Sequence, residues 1–182
     1  MLSVPFPSRA IDRVVDSDYA NNATNCKNLY LTFGATNVED TQFSFMVYDS
    51  KSISNSAYTY KSERVFDGFY NTRCYNSIGS QNCVDSVDVL FCKDCVGVTN
   101  CFGCVGLRKK SYCIYNKQVS KEEYEQFMED ANIGTFNSYQ AHKGKSRDFW
   151  RKFPVKFMSG LHNTDVTGDR VNNSRNVKKS FD

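Results

Sequence analysis

Two C-x-x-C pairs, Cys92 with Cys95 and Cys101 with Cys104, are the residues of this 182-residue chain whose type and spacing could do chemistry. Four thiolates in two such pairs are the donor set of a structural zinc site, provided the second pair can fold back onto the first. Here only the five residues Val96 to Asn100 separate them. More tellingly, both pairs arise from a repeat. Residues Asn71 to Tyr115 divide into five rows of nine: NTRCYNSIG, SQNCVDSVD, VLFCKDCVG, VTNCFGCVG and LRKKSYCIY. Cys74, Cys83, Cys92 and Cys101 stand at the fourth place, and Cys95, Cys104 and Cys113 at the seventh. A Cys column that continues beyond either pair behaves as a run of small, apolar, stackable side chains. Packing without a metal or other cofactor is therefore the expectation. Zinc on Cys92, Cys95, Cys101 and Cys104, and disulfides, are the alternatives.

Other constellations are thin. His142 and His162 are the only histidines, both outside the repeat and in no metalloprotease or nucleophile-elbow motif. Asp recurs at the sixth place of the rows, as in calcium β-rolls, but the glycines such loops need at the first, second and fourth places are missing. No nucleophile, base and orienting residue can be assembled, so the chain reads as a non-enzyme. One cluster remains, HKGKSRDFWRKFPVKF. In it Lys143, Lys145, Arg147, Arg151, Lys152 and Lys156 stand against Asp148 alone, interleaved with Phe149, Trp150 and Phe153. Such cations pair with phosphates, and such rings stack on bases. A short helix with its rings buried and its charges in water would show the same pattern. Nucleic-acid binding through Lys143, Lys145, Arg147, Trp150, Arg151 and Lys152 is thus a second reading.

The elements that must carry these residues follow from the repeat. Run backward, the nine-residue frame survives to Ser17. Its seventh place reads Ala23, Thr32, Thr41, Ser50, Thr59, Gly68, Ser77, Ser86, Cys95, Cys104, Cys113. Side chains kept small in every row point into a confined interior. The first and fourth places are also small or apolar. The third and sixth favour Asn and Asp, among them Asn28, Asn37, Asp40 and Asp49. These tolerate left-handed turns. Nine residues make a loop of at most about 30 Å, with almost no interior, so two rows per coil are expected. The fold class is mainly β: a parallel β-solenoid or β-roll-like stack of nine-residue rows, right-handed as parallel crossovers are. Tyr30, Tyr48, Phe33 and Phe102 belong to aromatic ladders that hold the stack together.

Four segments result. Residues 1–16, with Pro5 and Pro7, are an arm covering the first open edge; residues 17–115 are the solenoid. Residues 116–158 hold one amphipathic α-helix followed by the basic aromatic segment. Ser120 and Glu123 form a capping box, Tyr124, Phe127 and Met128 share a face, and Gly134 lies beyond the helix end. Residues 159–182 start a second array, because NNSRNVKKSF at Asn172 to Phe181 echoes NNATNCKNLY at Asn21 to Tyr30. This array is unfinished at the last residue, which points to a longer protein or to strand addition onto a neighbour.

A net charge of +3 implies neither nucleic acid nor membrane by itself. The first residues lack the pattern of a secretory signal, and no stretch is apolar for the length of a bilayer. A reducing location follows, cytoplasmic or within a virus particle, with eight Cys unpaired.

The run NCFGCVGLRKKSYCIYNKQ at Asn100 to Gln118, the helix with Tyr124, the KFPVKF segment with Pro154 and the T-G-D turn at Thr167 to Asp169 resemble a family of uncharacterised Cys-rich repeat proteins. These come from metagenomic small-genome bacteria and phages, often under a transferase-like label. The resemblance implies a β-solenoid that continues past the second array, and carries over no activity. Many members begin with a zinc-ribbon-like region of paired Cys, which this chain lacks. The functional expectation is a non-enzymatic structural or protein-interaction module, in a larger assembly such as a virion, with protein partners or its own copies. Nucleic-acid binding and structural zinc binding stand as alternatives.

Overall fold

The backbone turns left-handed at every third residue. From Arg13 to Asn55 each third position has φ between 46° and 69°, and the same beat runs from Gly79 to Tyr115. For an L-residue this costs about 1–2 kcal/mol, which Asn, Asp and Gly largely escape. Asn22, Asn25, Asn28, Asn37, Asp40, Asp49, Asn82, Asp85 and Asp94 occupy these positions, as their abundance in the rows predicted. The residue after each left-handed one points inward, so Ala20, Ala23, Cys26, Leu29, Thr32, Ala35, Val38 and Thr41 are all buried.

The computed structural model describes residues 10–60, 77–155, 160–169 and 171–181. The arm at residues 1–9, the rows between Lys61 and Asn76 with Cys74, and Lys156 lie outside the described residues. Strands β1 (Ile11–Val15), β2 (Asn21–Tyr30), β3 (Phe33–Gln42), β4 (Phe45–Ser54) and β5 (Ala57–Tyr60) stack in that order in one parallel sheet. A second sheet stacks β6 (Val87–Leu90), β7 (Thr99–Phe102) and β8 (Ser111–Ile114) in parallel, and β9 (Lys117–Gln118) returns antiparallel to close it. Both are β-solenoid, as the repeat required.

The length of the coil differs from the expected two rows of nine. Ala23 pairs with Ala35, Ala35 with Val47, Val89 with Cys101 and Cys101 with Cys113, so each turn takes twelve residues. Four triplets, each about 10 Å of chain, make the turn. Residues twelve apart form a column. The nine-residue period is nonetheless physical, because it is the diagonal from one coil to the neighbouring side of the next. Cys92 Sγ donates to the Cys101 carbonyl (3.3 Å), Cys104 Sγ to Cys113 (3.4 Å), Thr32 Oγ1 to Thr41 (3.3 Å) and Ser80 Oγ to Val89 (3.2 Å), each nine residues on. The sequence period follows these side-chain bonds, while the backbone ladder runs at twelve.

Helix α1 (Lys121–Ala131) starts at the expected capping box: Glu123 N–H donates to Ser120 Oγ, and Ser120 N–H to the Glu123 carboxylate, both at 3.1 Å. It ends on left-handed Asn132, with Gly134 beyond the helix end as expected. A second helix, α2 (Phe136–Trp150), takes in most of the basic aromatic segment, with Tyr139, Ser146 and Trp150 buried. The chain divides into two compact units, Met1–Trp150 and Arg151–Asp182. Within the second, β10 (Gly160–Leu161) pairs in parallel with β12 (Val171–Asn172), and β11 (Gly168–Asp169) with β13 (Ser180–Phe181). His162, Asp165, Asn173, Asn176 and Lys179 keep the left-handed beat there.

Candidate functional site

The thiols sit where the backbone needs them. A chain that bends every third residue in so tight a coil leaves inward N–H and C=O groups that must find partners in the dry interior. Hydroxyls and thiols supply them. Cys92, Cys95 and Cys104 each donate to the carbonyl two residues earlier at 3.3–3.4 Å. In the other direction, Cys92 N–H donates to Ser80 Oγ (3.0 Å), Val98 N–H to Ser86 Oγ (3.4 Å) and Asn116 N–H to Cys104 Sγ (3.3 Å), each from the next coil. An inward Cys is therefore both core and connector.

Cys83, Cys92, Cys95, Cys101, Cys104 and Cys113 lie together in three successive coils, at most 1% exposed, and all are free thiols. Cys95 hydrogen-bonds the thiols of Cys83 and Cys92, and Cys104 those of Cys101 and Cys92. Burial, followed by the bonds to Cys104 and Cys95, holds the Cys92 thiol well above its ordinary value. The bond to Cys104, followed by burial, does the same for Cys101. Cys95 and Cys104 go the other way: the bonds they receive from the neighbouring thiols pull both down to about 4, with burial opposing. Among the described residues no group of three or more His, Cys, Asp or Glu side chains is placed to hold a metal ion. The four Cys of the two C-x-x-C pairs are brought together as adjoining inward residues that spend their sulfurs on carbonyls and on one another.

Asn116 ends the stack by filling the inward place twelve residues after Cys104 with a side-chain amide. Its Oδ1 accepts from Val105 N–H (2.8 Å) and its Nδ2 donates to the Val105 carbonyl (2.9 Å), as the next peptide would. Inward Lys110, in the column of buried Ser86 and Val98, is already exposed.

The basic aromatic residues are divided by α2. Trp150 is buried, its indole N–H donating to the Phe91 carbonyl at 3.2 Å. Lys143 lies over the Tyr139 ring, 5.4 Å from its centroid. Lys145, Arg147, Arg151 and Lys152 stay exposed, so the charges remain on the surface while the tryptophan is spent on the core. The rings of both helices cover one strip of the solenoid. Phe127 and His142 meet Phe102 (4.9 and 5.3 Å between centroids), Tyr139 meets Phe91 (5.4 Å) and Phe149 meets Tyr115 (5.2 Å). Phe91 and Tyr115 lie flat because the column alternates with glycine. A Cβ on Gly79 would come within 2.7 Å of the Phe91 ring, and one on Gly103 within 2.5 Å of Tyr115.

The coils of residues 10–60 present ladders instead. Asn25 Nδ2 donates to Asn37 Oδ1, and Asn37 Nδ2 to Asp49 Oδ1, each at 2.8 Å. Beside them Glu39 meets Lys51 at 3.0 Å and Lys27 at 3.9 Å. Between the two rows runs an open groove of about 610 Å³, lined by Arg13, Asn25, Lys27, Asn37, Glu39 and Lys51 among others. Sequence reasoning named Tyr30 and Phe33 as ladder residues. It missed Tyr19, Phe43 and Phe45 beside them, because a nine-residue frame scatters a twelve-residue column over different places.

No protein-family model matches the chain, and neither does any curated protein. Among solved structures, a Bacillus cereus protein titled "putative acetyltransferase" aligns over 80% of this chain and 94% of its own, at 9% identity and a TM-score of 0.17. A likeness at that TM-score carries no argument about fold or activity. Among the described residues no helix is long and apolar enough to cross a membrane.

Proposed function

We propose that the chain is a non-enzymatic scaffold: a β-solenoid that presents regular outward columns to protein partners within a larger assembly. One contrast carries this reading. On coils 77–115 α1 and α2 cover the rings of Phe91, Phe102 and Tyr115, whereas on coils 10–60 Tyr19, Tyr30, Phe33, Phe43 and Phe45 are 41–66% exposed. An aromatic strip of this size on a repeat surface is the mark of a protein contact. The interior is consumed by stacking, which suits a part whose work is done on its outside. Chemical cross-linking in the source material, followed by recovery of the intact chain, tests the proposal. Cross-links from the 10–60 columns to another polypeptide or to a second copy are expected. Recovery of the chain alone, together with a monomeric purified protein, would overturn it.

A further inference from the structure

We infer that the aromatic strip on coils 10–60 is a docking surface for a second copy of this chain, strip against strip about a two-fold axis. The inference rests on the scaffold reading and names its partner. Three observations select a like copy. First, charge. The strip is built from the columns that begin at Asp18, Tyr19 and Asn21, and of their twelve members through Ala57 only Asp18 is charged. Arg13, Lys27, Glu39, Asp40, Asp49 and Lys51 all stand in other columns. A surface can meet its own image only if it does not carry a net field. Second, period. Tyr19 packs edge-on against Tyr30 (5.8 Å), Tyr30 against Phe43 (5.5 Å), and Phe33 and Phe45 are register neighbours, so the rings climb at the coil spacing of about 4.8 Å. A second copy brings the same period and interdigitates along the whole strip. Third, supply. The helices on coils 77–115 have already buried Tyr124, Tyr139 and Trp150, so among the described residues a second copy's helices offer the single exposed ring of Phe136 against the five of its strip.

The size is adequate. At about 200 Å² per aromatic side chain, the exposed fractions of the five rings amount to roughly 500 Å². Asn21, Gln42, Met46 and Ala57 at the margins bring the patch toward the roughly 800 Å² per partner of a stable pair. A two-fold arrangement sets the Tyr19 end of one strip against the Phe43 end of the other.

Sedimentation equilibrium of the intact chain over a wide concentration range tests this. A reversible dimer is expected. The double variant Phe33→Ser, Phe45→Ser removes two outward rings and raises the dissociation constant on the order of a hundredfold. Should that variant melt early, Gln42→Glu and Gln42→Lys give an independent test. With the two strips antiparallel, Gln42 of one copy faces Asp18 of the other, so Gln42→Glu weakens the pair and Gln42→Lys tightens it. A wild-type chain that is monomeric throughout, or variants that dimerise like wild type, would overturn the inference. Cross-links from the same strip to a different polypeptide would then leave the scaffold reading standing.

Discussion

Coils 10–60 and coils 77–118 share one backbone and fill it with different chemistry. The first interior is made of Ala, Val, Leu, Ile, Thr and Ser with the single Cys26; the second is mainly Cys, with Ser and Val. The first exterior leaves its aromatic strip in water, while the second lays glycines under its rings and roofs them with two helices. The comparison teaches that the left-handed triplet alone sets the coil. Inward residues are chosen for small volume and for a donor that reaches a carbonyl, a need that Thr, Ser and Cys meet equally. Outward residues are free to differ, and function can differ with them.

The roof offers the largest way to break the contrast. Trp150→Ala should cost about 3–5 kcal/mol by removing a buried ring, and should also strand the Phe91 carbonyl. Denaturation followed by circular dichroism should show the helical signal leaving before the β signal. Loss of both in one undisplaced transition would mean that α1 and α2 do not ride on the solenoid as a separate layer.

Glycine gives the next test, with its own control. Gly103→Val combines a left-handed φ of 65° with a Cβ 2.5 Å from the Tyr115 ring, and about 2–4 kcal/mol of destabilisation is expected. Gly106 has a similar φ of 68° and nothing within 4 Å, so Gly106→Ala should cost only about 1 kcal/mol. Equal melting temperatures for the two variants would show that the flattened rings under the roof do not depend on the glycine column.

Exchanging the interiors probes the hydrogen-bond role of the thiols. Cys104→Ala removes the acceptor of Asn116 N–H and the donor to Cys113, at a cost of about 1–3 kcal/mol. Cys104→Ser restores both, matching the Ser that occupies inward places elsewhere, and should recover most of that loss. If Ala and Ser were equivalent in denaturant midpoint, Cys would be serving as volume alone.

Much of this fold was legible before any coordinates, and the part that was not has a physical cause. Asn28, Asn37 and Asp40 announced left-handed turns, and Thr32, Cys95 and Cys104 announced a confined interior, because each place accepts only certain backbone or volume. Nine and twelve are both multiples of the three-residue beat. The Cys of coils 77–115 happen to lie along the diagonal in which each thiol reaches the carbonyl nine residues on, so identity followed the hydrogen bond instead of the turn. Once the frame was nine, Tyr19 and Phe43 fell in different places and the exposed strip dissolved. Trp150 was ambiguous for another reason. Rings and cations alternate in the same way in a helix that buries its rings and in one that offers them to a base, and only the position of Phe91 decides.

The smallest expected effect concerns pH and is confined to the roofed half. His142 packs edge-on against the Phe102 and Phe127 rings, its Nδ1 buried without a hydrogen-bond partner. Burial first, and then the Lys145 ammonium, depress its affinity for a proton. A base depressed in the folded state binds its proton more readily when the chain unfolds. Stability is therefore complete above the ordinary histidine value of about 6.5 and declines as pH falls below it, until the folded-state value is reached. The midpoint of denaturation should drop between neutral and mildly acidic pH in the wild type and less steeply in His142→Phe, with the helical signal carrying the difference. Coils 10–60 contain no histidine, so their exchange-protected amides should show no matching dependence. A wild type and His142→Phe that fall in parallel would show that His142 does not carry the acid sensitivity, and this contrast between the two halves would be lost.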